Sequence, residues 1–261
     1  MKKTLMALVV VASAAASGSA MAWTANSTGG SVDLGGTLTL TEKATPWEVK
    51  VGSAVTGLDA LIQKGYKTVN IPVNDAIPVL GIRSIENFVG RSGVDPMIDF
   101  QGAINPSEFS NGNAPLTLVV TDNAGSKIGT LKTELYAGAE FTSDSKTTGK
   151  NVKAIVYANP SDAEHAFAGG LGLNKNGIDS RDAFIAVKEI DPEFIAKYNS
   201  NGATRISATH LTVKYDDAIY SVFYGSGIQK GKQIQITLDQ AASGDAPIQW
   251  KASLPVTVSY Q

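Results

Sequence analysis

Short segments in which apolar and polar residues alternate recur along this chain, with turn residues between them. A period of two places the apolar side chains on one face of an extended strand. Such segments occupy residues 47–51, 67–73, 77–82, 116–120, 128–136, 152–157, 211–215, 219–224 and 234–238. Roughly a dozen short strands separated by turns are typical of an antiparallel sandwich or barrel. The sequence therefore predicts an all-β fold.

Helical spacing is confined to three short segments. The first, at 58–62, is expected to end at Gly65; the second is expected to begin with Asp179-Ser180 as its cap; the third begins at Asp191-Pro192-Glu193. Asp is a favourable N-cap and Pro suits the first helical position. The last two helices fall in a stretch, about 137–204, that otherwise has the composition of loops. We expect this stretch to be an insertion in a β framework.

Residues 1–22 have the features of a signal peptide. Lys2 and Lys3 precede an apolar run at 5–16, and Ala20-Met21-Ala22 supplies a cleavage pattern of small residues. The run is shorter than the about 20 apolar residues that a membrane-spanning helix needs. The sequence therefore predicts an exported chain that begins at Trp23 after cleavage.

Composition argues against several classes of function. The 261 residues include no Cys and 2 His, and the formal net charge is −2. Disulfides and thiolate metal sites are therefore excluded, and nucleic-acid binding driven by phosphate neutralisation is not expected. We expect no enzyme activity, no cofactor and no metal site.

Individual candidate sites also favour ordinary structural interpretations. The segment 174–177 has the look of a calcium loop, but Ala183 stands where the bidentate carboxylate would be needed, so a polar turn is predicted. The glycines at 225–231 have the wrong spacing for a dinucleotide site and suggest a hairpin loop. His165 and His210 are both expected at the surface.

The end of the chain carries the most regular alternation. Trp250, Ala252, Leu254, Val256, Val258 and Tyr260 fall on one face, with polar residues and Pro255 on the other. This pattern predicts one continuous strand. Pro255 has no amide hydrogen, which suits a strand with an unpaired edge.

A second alternating segment lies near the other end. Val32, Leu34, Leu38 and Leu40 share a face, and Gly36 occupies its middle position. The segment is either the first strand of a sandwich or a strand that adds to the exposed edge of a neighbouring molecule.

Three motifs resemble those of a known family, the major subunits of chaperone–usher fimbriae, specifically the FaeG-like class of enterobacteria. They are Gly30-Ser31-Val32-Asp33-Leu34-Gly35-Gly36, Trp47-Glu48-Val49-Lys50-Val51-Gly52 and the closing Val256-Thr257-Val258-Ser259-Tyr260. Residues 1–22 also resemble that family's signal segment. The likeness is concentrated at the two ends; the middle is similar in length and in its paired short helices, and Gln261 after Tyr260 is a departure.

The resemblance implies an incomplete immunoglobulin-like sandwich that donor-strand exchange completes. Residues 23–45 would be the donor extension, and 46–261 the pilin domain with the insertion at about 137–204. Carried onto this chain, the donor side chains would be Val32, Leu34, Leu38 and Leu40. The wall of the acceptor groove would be formed by Trp250, Leu254, Val256, Val258 and Tyr260.

The resemblance also implies the partners: a periplasmic chaperone, an outer-membrane usher, neighbouring copies of the subunit and host glycolipid or glycoprotein glycans. It predicts a major subunit at the bacterial surface that builds the fimbrial shaft and binds receptor. A shaft subunit without receptor binding is the alternative. An outer-membrane barrel is less favoured, because barrel strands need about 10 residues and these runs are shorter.

Receptor binding is expected within 137–204, without a named pocket, because framework strands are committed to the sandwich. The stretch is rich in aromatic and imidazole side chains: Phe141, Tyr157, His165, Phe167, Phe184, Phe194 and Tyr198. Phe184, Phe194 and Ile195 are expected to anchor the helices to the sandwich.

Overall fold

The structure is a computed structural model, and it describes residues 34–38, 44–159, 165–179, 181–200 and 202–261. The chain divides into two units, Met1–Lys43 and Ala44–Gln261. The predicted signal segment, Val32 and Leu40 lie outside the described residues. In the first unit, residues 34–38 have no regular secondary structure. The side chains of Leu34 and Leu38 are 93% and 96% exposed.

Strands dominate the described part of the second unit. In chain order they are β1 (Trp47–Val51), β2 (Thr68–Pro72), β3 (Ile77–Ser84), β4 (Phe88–Val89), β5 (Pro96–Asp99), β6 (Asn113–Thr121), β7 (Lys127–Ser145), β8 (Lys150–Ile155), β9 (Thr204–Arg205), β10 (Ala218–Ile228), β11 (Gln233–Leu238), β12 (Lys251–Ala252) and β13 (Thr257–Tyr260). Helical structure is limited there to α1 (Ala183–Ile190) and the 3-10 helices Pro106–Glu108 and Pro192–Ile195.

The strand order is that of an immunoglobulin-like sandwich. One sheet runs β1-β3-β10-β7-β11-β2, and all of these neighbours pair antiparallel. The first four strands of this sheet match the order of strands A, B, E and D in an immunoglobulin sheet. The pairing of β6 with the C-terminal run matches the pairing of immunoglobulin strands C and F. β6 also pairs with β7, and β13 forms a separate two-stranded sheet with β5. The expected all-β immunoglobulin-like class is confirmed.

The core lies beneath the two longest strands, β7 and β10, whose central residues are buried. Trp47 is 5% exposed and its indole Nε1 donates to the carbonyl of Val94 at 2.6 Å. Phe88 and Phe167 contact its ring edge-on. The motif around Trp47 therefore joins the edge strand β1 to the centre of the sandwich.

The helical segments differ from expectation at two places. Asp182, and not Asp179-Ser180, caps α1, because its carboxylate accepts from the Ile185 amide. Asp179 instead accepts from Arg181. The third segment begins at Asp191 as predicted, and its carboxylate accepts from the Glu193 amide.

Glycines in the central strands make room for these helices. A Cβ at Gly225 would lie 2.3 Å from Val187 Cγ1, and one at Gly81 would lie 2.1 Å from Phe194 Cδ1. The predicted hairpin loop at 225–231 is wrong over 225–228, which lie inside β10. The glycines are there because the helical segment packs directly on the strand backbone.

Three further expectations about secondary structure are wrong. Residues 58–62 form no helix; they run as an irregular segment in which Leu61 has no core to face and is fully exposed. Residues 211–215 form no strand, although Leu211 and Val213 are buried. Residues 137–155 are not loops, because most of them belong to the β7–β8 hairpin in the main sheet.

Candidate functional site

The C-terminal run consists of two short strands that pair with different partners. β12 pairs with β6 through Ala252 and Val120, and β13 pairs with β5 through Val258 and Ile98. Residues 253–256 between them are irregular. The prediction of one continuous strand is therefore wrong, because the chain passes from one partner strand to the other. The break contains Pro255, which has no amide hydrogen to donate to a strand ladder.

The predicted alternation of faces is nevertheless present along the whole run. Apolar side chains from Trp250 to Tyr260 are half-buried, while the intervening residues are exposed. Trp250 and Ala252 pack against one core cluster, which includes Val120. Leu254, Val256, Val258 and Tyr260 pack against the main core. The residues expected to form the groove wall thus make one continuous row of apolar side chains, which the rest of the domain buries only in part.

The outer edge of this row is open. Among the described residues, β12 pairs only with β6 and β13 only with β5, so each strand has one ladder partner. A strand with one free edge presents a row of amide and carbonyl groups to which another strand can add. Partly exposed apolar side chains beside such an edge form a surface suited to an amphipathic strand.

The far end of the run is fixed by Asp95. The amide of Asp95 donates to the main-chain oxygen of Gln261 at 3.0 Å, and the Gln261 amide donates to the backbone carbonyl oxygen of Asp95 at 3.1 Å. The Asp95 carboxylate accepts from the Val213 amide at 3.0 Å and from Thr212 Oγ1 at 3.1 Å. Burial raises the pKa of this carboxyl to about 6, against the opposing effect of its hydrogen bonds. Sequence reasoning missed Asp95, since nothing around it forms a motif.

The aromatic side chains expected to serve a receptor are mostly structural. Phe141, His165, Phe167 and Phe194 are buried, while Tyr157, Phe184 and Tyr198 are half-buried. The expected anchoring role of Phe184, Phe194 and Ile195 is confirmed, because all three belong to one cluster with Phe223.

The two histidines contact each other. Their ring centroids are 4.1 Å apart, and Tyr157 lies edge-on to His210 at 6.2 Å. His210 is exposed as expected, but the surface position expected for His165 is wrong, because its residue is 6% exposed. The predicted polar turn at 174–177 is confirmed: Asn174 Oδ1 accepts from the amides of Asn176 and Gly177.

A buried carboxylate ties the helical segment to the sheet. Glu140 in β7 accepts from Arg205 at 2.7 Å and from the hydroxyl of Tyr198 at 2.8 Å. Burial and the neighbouring Glu140 raise the pKa of Tyr198 well above its usual value, so it remains a hydrogen-bond donor. On the surface, Lys50 pairs with Asp191 at 2.8 Å and with Glu193 at 2.7 Å. These contacts tie Asp191, Glu193, Tyr198 and Arg205 to the sheet.

Within the described ranges, no helix is both long and apolar enough to cross a membrane. The fold and its open C-terminal edge define a structural β-sandwich of the immunoglobulin type. The chain belongs to the family of fimbrial major and minor subunits, whose profile matches residues 1–261. Members of this family are structural and not catalytic, and membership implies assembly with other subunits into a surface fimbrium.

Full-length relatives agree with this assignment. The K88 fimbrial protein AD of Escherichia coli is 31% identical over 294 residues, and K88 fimbrial protein AB is 30% identical over 289 residues. The F41 fimbrial protein of Escherichia coli is 26% identical over 293 residues. Each alignment covers 100% of both chains.

Proposed function

We propose that this chain is a major fimbrial subunit that polymerises by donor-strand exchange and binds host-cell glycans. The observation that supports polymerisation is the C-terminal run. Its apolar side chains are half-buried, and they lie beside a strand edge that has no ladder partner among the described residues. The donor is the segment 32–40 of the next subunit. Its four aliphatic side chains, Val32, Leu34, Leu38 and Leu40, enter the groove.

The donor register follows from the period of two. A shift by one residue would turn Ser and Thr side chains into the groove in place of the aliphatic ones. Each aliphatic side chain that becomes buried contributes about 1.5–3 kcal/mol before ordering costs. Four such side chains, with a ladder of backbone hydrogen bonds, are enough to make a fibre that dissociates slowly.

The same open edge accounts for the proposed periplasmic partners. A subunit with a bare apolar groove would aggregate after export, so a chaperone has to cover the groove until assembly. An outer-membrane usher would then present chaperone-bound subunits to the growing fibre. Removal of residues 1–22 precedes these steps.

The polymerisation half can be tested with a self-complemented chain, in which residues 23–41 are moved to the C-terminus through a short linker. We expect it to be a monomer that unfolds cooperatively, whereas the chain 23–261 aggregates without a chaperone. The matched control carries Leu34→Asp and Leu38→Asp in the moved segment and should aggregate like the chain 23–261. A soluble, cooperatively unfolding 23–261 monomer would contradict the proposal.

Adhesion is proposed for the surface of the 137–204 stretch, because it carries the partly exposed aromatic side chains of Tyr157, Phe184 and Tyr198. Tyr157 and the neighbouring His210 are the starting point, since a sugar can stack on an aromatic face that solvent reaches. Deleting the whole stretch would remove β8 and the end of β7, so point substitutions are the sound test.

We expect Tyr157→Ala to lower binding of the self-complemented chain to a glycan array and to host-cell glycolipids. Tyr66→Ala is the control, because Tyr66 is an exposed tyrosine outside the stretch. Equal binding by both variants would move the receptor site away from Tyr157. Absence of glycan binding by the unaltered chain would favour the alternative, a shaft subunit without receptor function.

A further inference from the structure

Exposed apolar side chains cluster at the end of the sandwich where the second unit begins. Arg91 Nη2 donates to the carbonyl oxygen of Ala44 at 2.9 Å, and the Ile85 amide donates to the carbonyl oxygen two residues further on, also at 2.9 Å. A Cβ at Gly90 would lie 2.2 Å from the carbonyl oxygen of Tyr215, so that segment lies close by. We call this surface the Ala44 end. Its large exposed apolar side chains are those of Ile85, Val89 and Tyr215.

The C-terminal run leads from the Ala44 end to the opposite end of the sandwich. Its last residue, Gln261, binds the backbone of Asp95, which follows Arg91 by four residues. Its first residue, Trp250, lies about 35 Å away along the run, because an extended chain rises about 3.3 Å per residue. We call the surface around this first residue the Trp250 end.

A second group of exposed apolar side chains lies at the Trp250 end. Trp250 packs against the core cluster that contains Ala242. The Gly65 amide donates to the carbonyl oxygen of Ala242 at 2.8 Å, and the Ala242 amide donates to that of Tyr66 at 2.8 Å. These bonds hold the segment that precedes β2 against the connection between β11 and β12. The large apolar side chains exposed on these two segments are those of Leu61, Tyr66 and Ile248.

The short connection between donor segment and domain brings two subunits together at these ends. This step rests on the proposed function, in which residues 32–40 lie in the groove of the next subunit. Three residues, 41–43, separate Leu40 from Ala44. Because consecutive Cα atoms are about 3.8 Å apart, the Cα atoms of Leu40 and Ala44 lie at most about 15 Å from each other. The end of an inserted donor strand is therefore beside the Ala44 end of the subunit to which it belongs.

The direction of the donor strand decides which end of the next subunit is reached. A donor antiparallel to the C-terminal run places Leu40 at the Trp250 end of the acceptor. A parallel donor would place Leu40 at the acceptor's Ala44 end, from which the acceptor's own donor segment has to leave. Contact between unlike ends repeats along an open fibre, whereas contact between like ends closes a pair. The antiparallel direction is therefore the one that suits a fibre.

We propose that the Ala44 end of one subunit docks on the Trp250 end of the next copy of this chain. The three apolar side chains of each end then pack against one another and lose contact with water. The patches are small, so free monomers do not associate through them. A connection of three residues makes the contact effectively intramolecular, with a local concentration on the order of millimolar, and a small patch is then sufficient. The contact fixes the angle between successive subunits.

The chain contains no Cys, so introduced cysteines report this contact without interference. Val89→Cys is combined in turn with Leu61→Cys, Tyr66→Cys and Ile248→Cys, and assembled fibres are treated with a short bismaleimide and then denatured. We expect at least one combination to give a ladder of covalently linked subunits, because each subunit carries both ends. Each single variant should give unlinked subunits, since unlike ends meet. The control combination of Val89→Cys with Ile185→Cys, an exposed position on α1, should give no ladder.

The absence of a ladder from all three combinations would overturn the proposal. Linked dimers from Val89→Cys alone would also overturn it, because like ends would then meet. An equally strong ladder from the control combination would show linkage between neighbouring fibres and would likewise overturn it. Cooperative unfolding of each variant in the self-complemented chain shows that the variant folds, and Tyr215→Cys replaces Val89→Cys if that variant does not.

Donor-strand exchange is read separately, from the fibre yield of Leu34→Asp. Loss of fibres in Leu34→Asp without a ladder from the cysteine combinations would leave exchange standing and reject the contact between ends. A normal fibre yield for Leu34→Asp would reject exchange, and the ladder would still report whether the two ends meet.

Discussion

The carboxylate of Glu140, buried in the centre of β7, lies 2.7 Å from the guanidinium group of Arg205 in β9. Tyr198 donates to the other carboxylate oxygen. The three side chains connect the sheet to the end of the helical segment and to the strand that follows it. A buried charge is costly unless it is paired, so these contacts hold Tyr198 and Arg205 against the sheet.

Arg205→Ala should destabilise the self-complemented chain by about 1–3 kcal/mol, because it leaves the Glu140 carboxylate buried without its cation. The loss is below that of a fully buried pair, since the Arg205 side chain is 40% exposed and water can enter. Chemical unfolding measures it. Arg181→Ala is the matched control: Arg181 is 85% exposed and pairs with Asp179, so its loss should cost clearly less free energy of unfolding than the loss of Arg205. Equal costs would contradict the role of Glu140.

Gly225→Ala should destabilise the chain by about 1–3 kcal/mol, because the new methyl group overlaps Val187. Val187→Ala removes the closest overlapping atom, Cγ1, and leaves Phe194 Cδ2 at 2.9 Å, but it also opens a cavity of its own. The double variant should therefore be more stable than the sum of the two single losses predicts. Additive losses in chemical unfolding would show that α1 does not pack on β10 as described.

Phe194→Ala should cost about 3–5 kcal/mol, since the ring is buried between the helical segment and the glycines of β3 and β10. Lys50→Ala removes the ion pairs that Lys50 makes to Asp191 and Glu193, directly above that ring. Solvent screens these pairs, so Lys50→Ala should cost much less free energy of unfolding than Phe194→Ala. Chemical unfolding measures the free energy of unfolding of both variants. A larger loss for Lys50→Ala than for Phe194→Ala would show that the ion pairs, and not the buried ring, hold this segment on the sheet.

Strands with a clear period of two were predictable, because alternation reports which face of an extended chain is buried. Trp47–Val51 was predicted with the bounds that the structure has. Alternation does not report the hydrogen-bond partner. Leu211 and Val213 alternate and are buried, yet their backbone groups bind Ala166, Arg91 and the Asp95 carboxylate in place of a neighbouring strand.

Features that depend on distant parts of the chain were not predictable from local sequence. From its neighbours in the sequence, Gly225 is typical of a turn. Only the position of Val187 in the structure explains why a strand needs glycine there. The break at 253–256 depends on the separate positions of β5 and β6. Asp95 and Glu140 are single residues whose partners lie more than 50 positions away along the chain, so no spacing pattern marks them.

In the donor-strand exchange proposed for this chain, residues 32–40 of one subunit fill the groove beside the C-terminal run of the next. The direct measurement is the fibre yield of Leu34→Asp and Thr37→Asp, compared at equal levels of chaperone-bound subunit. Donor-strand exchange in this register predicts a severe loss for Leu34→Asp, because a carboxylate would enter an apolar groove at a cost of about several kcal/mol. It predicts near-normal yield for Thr37→Asp, whose side chain points to the opposite face of the donor strand. Equal yields from the two variants would contradict donor-strand exchange in this register.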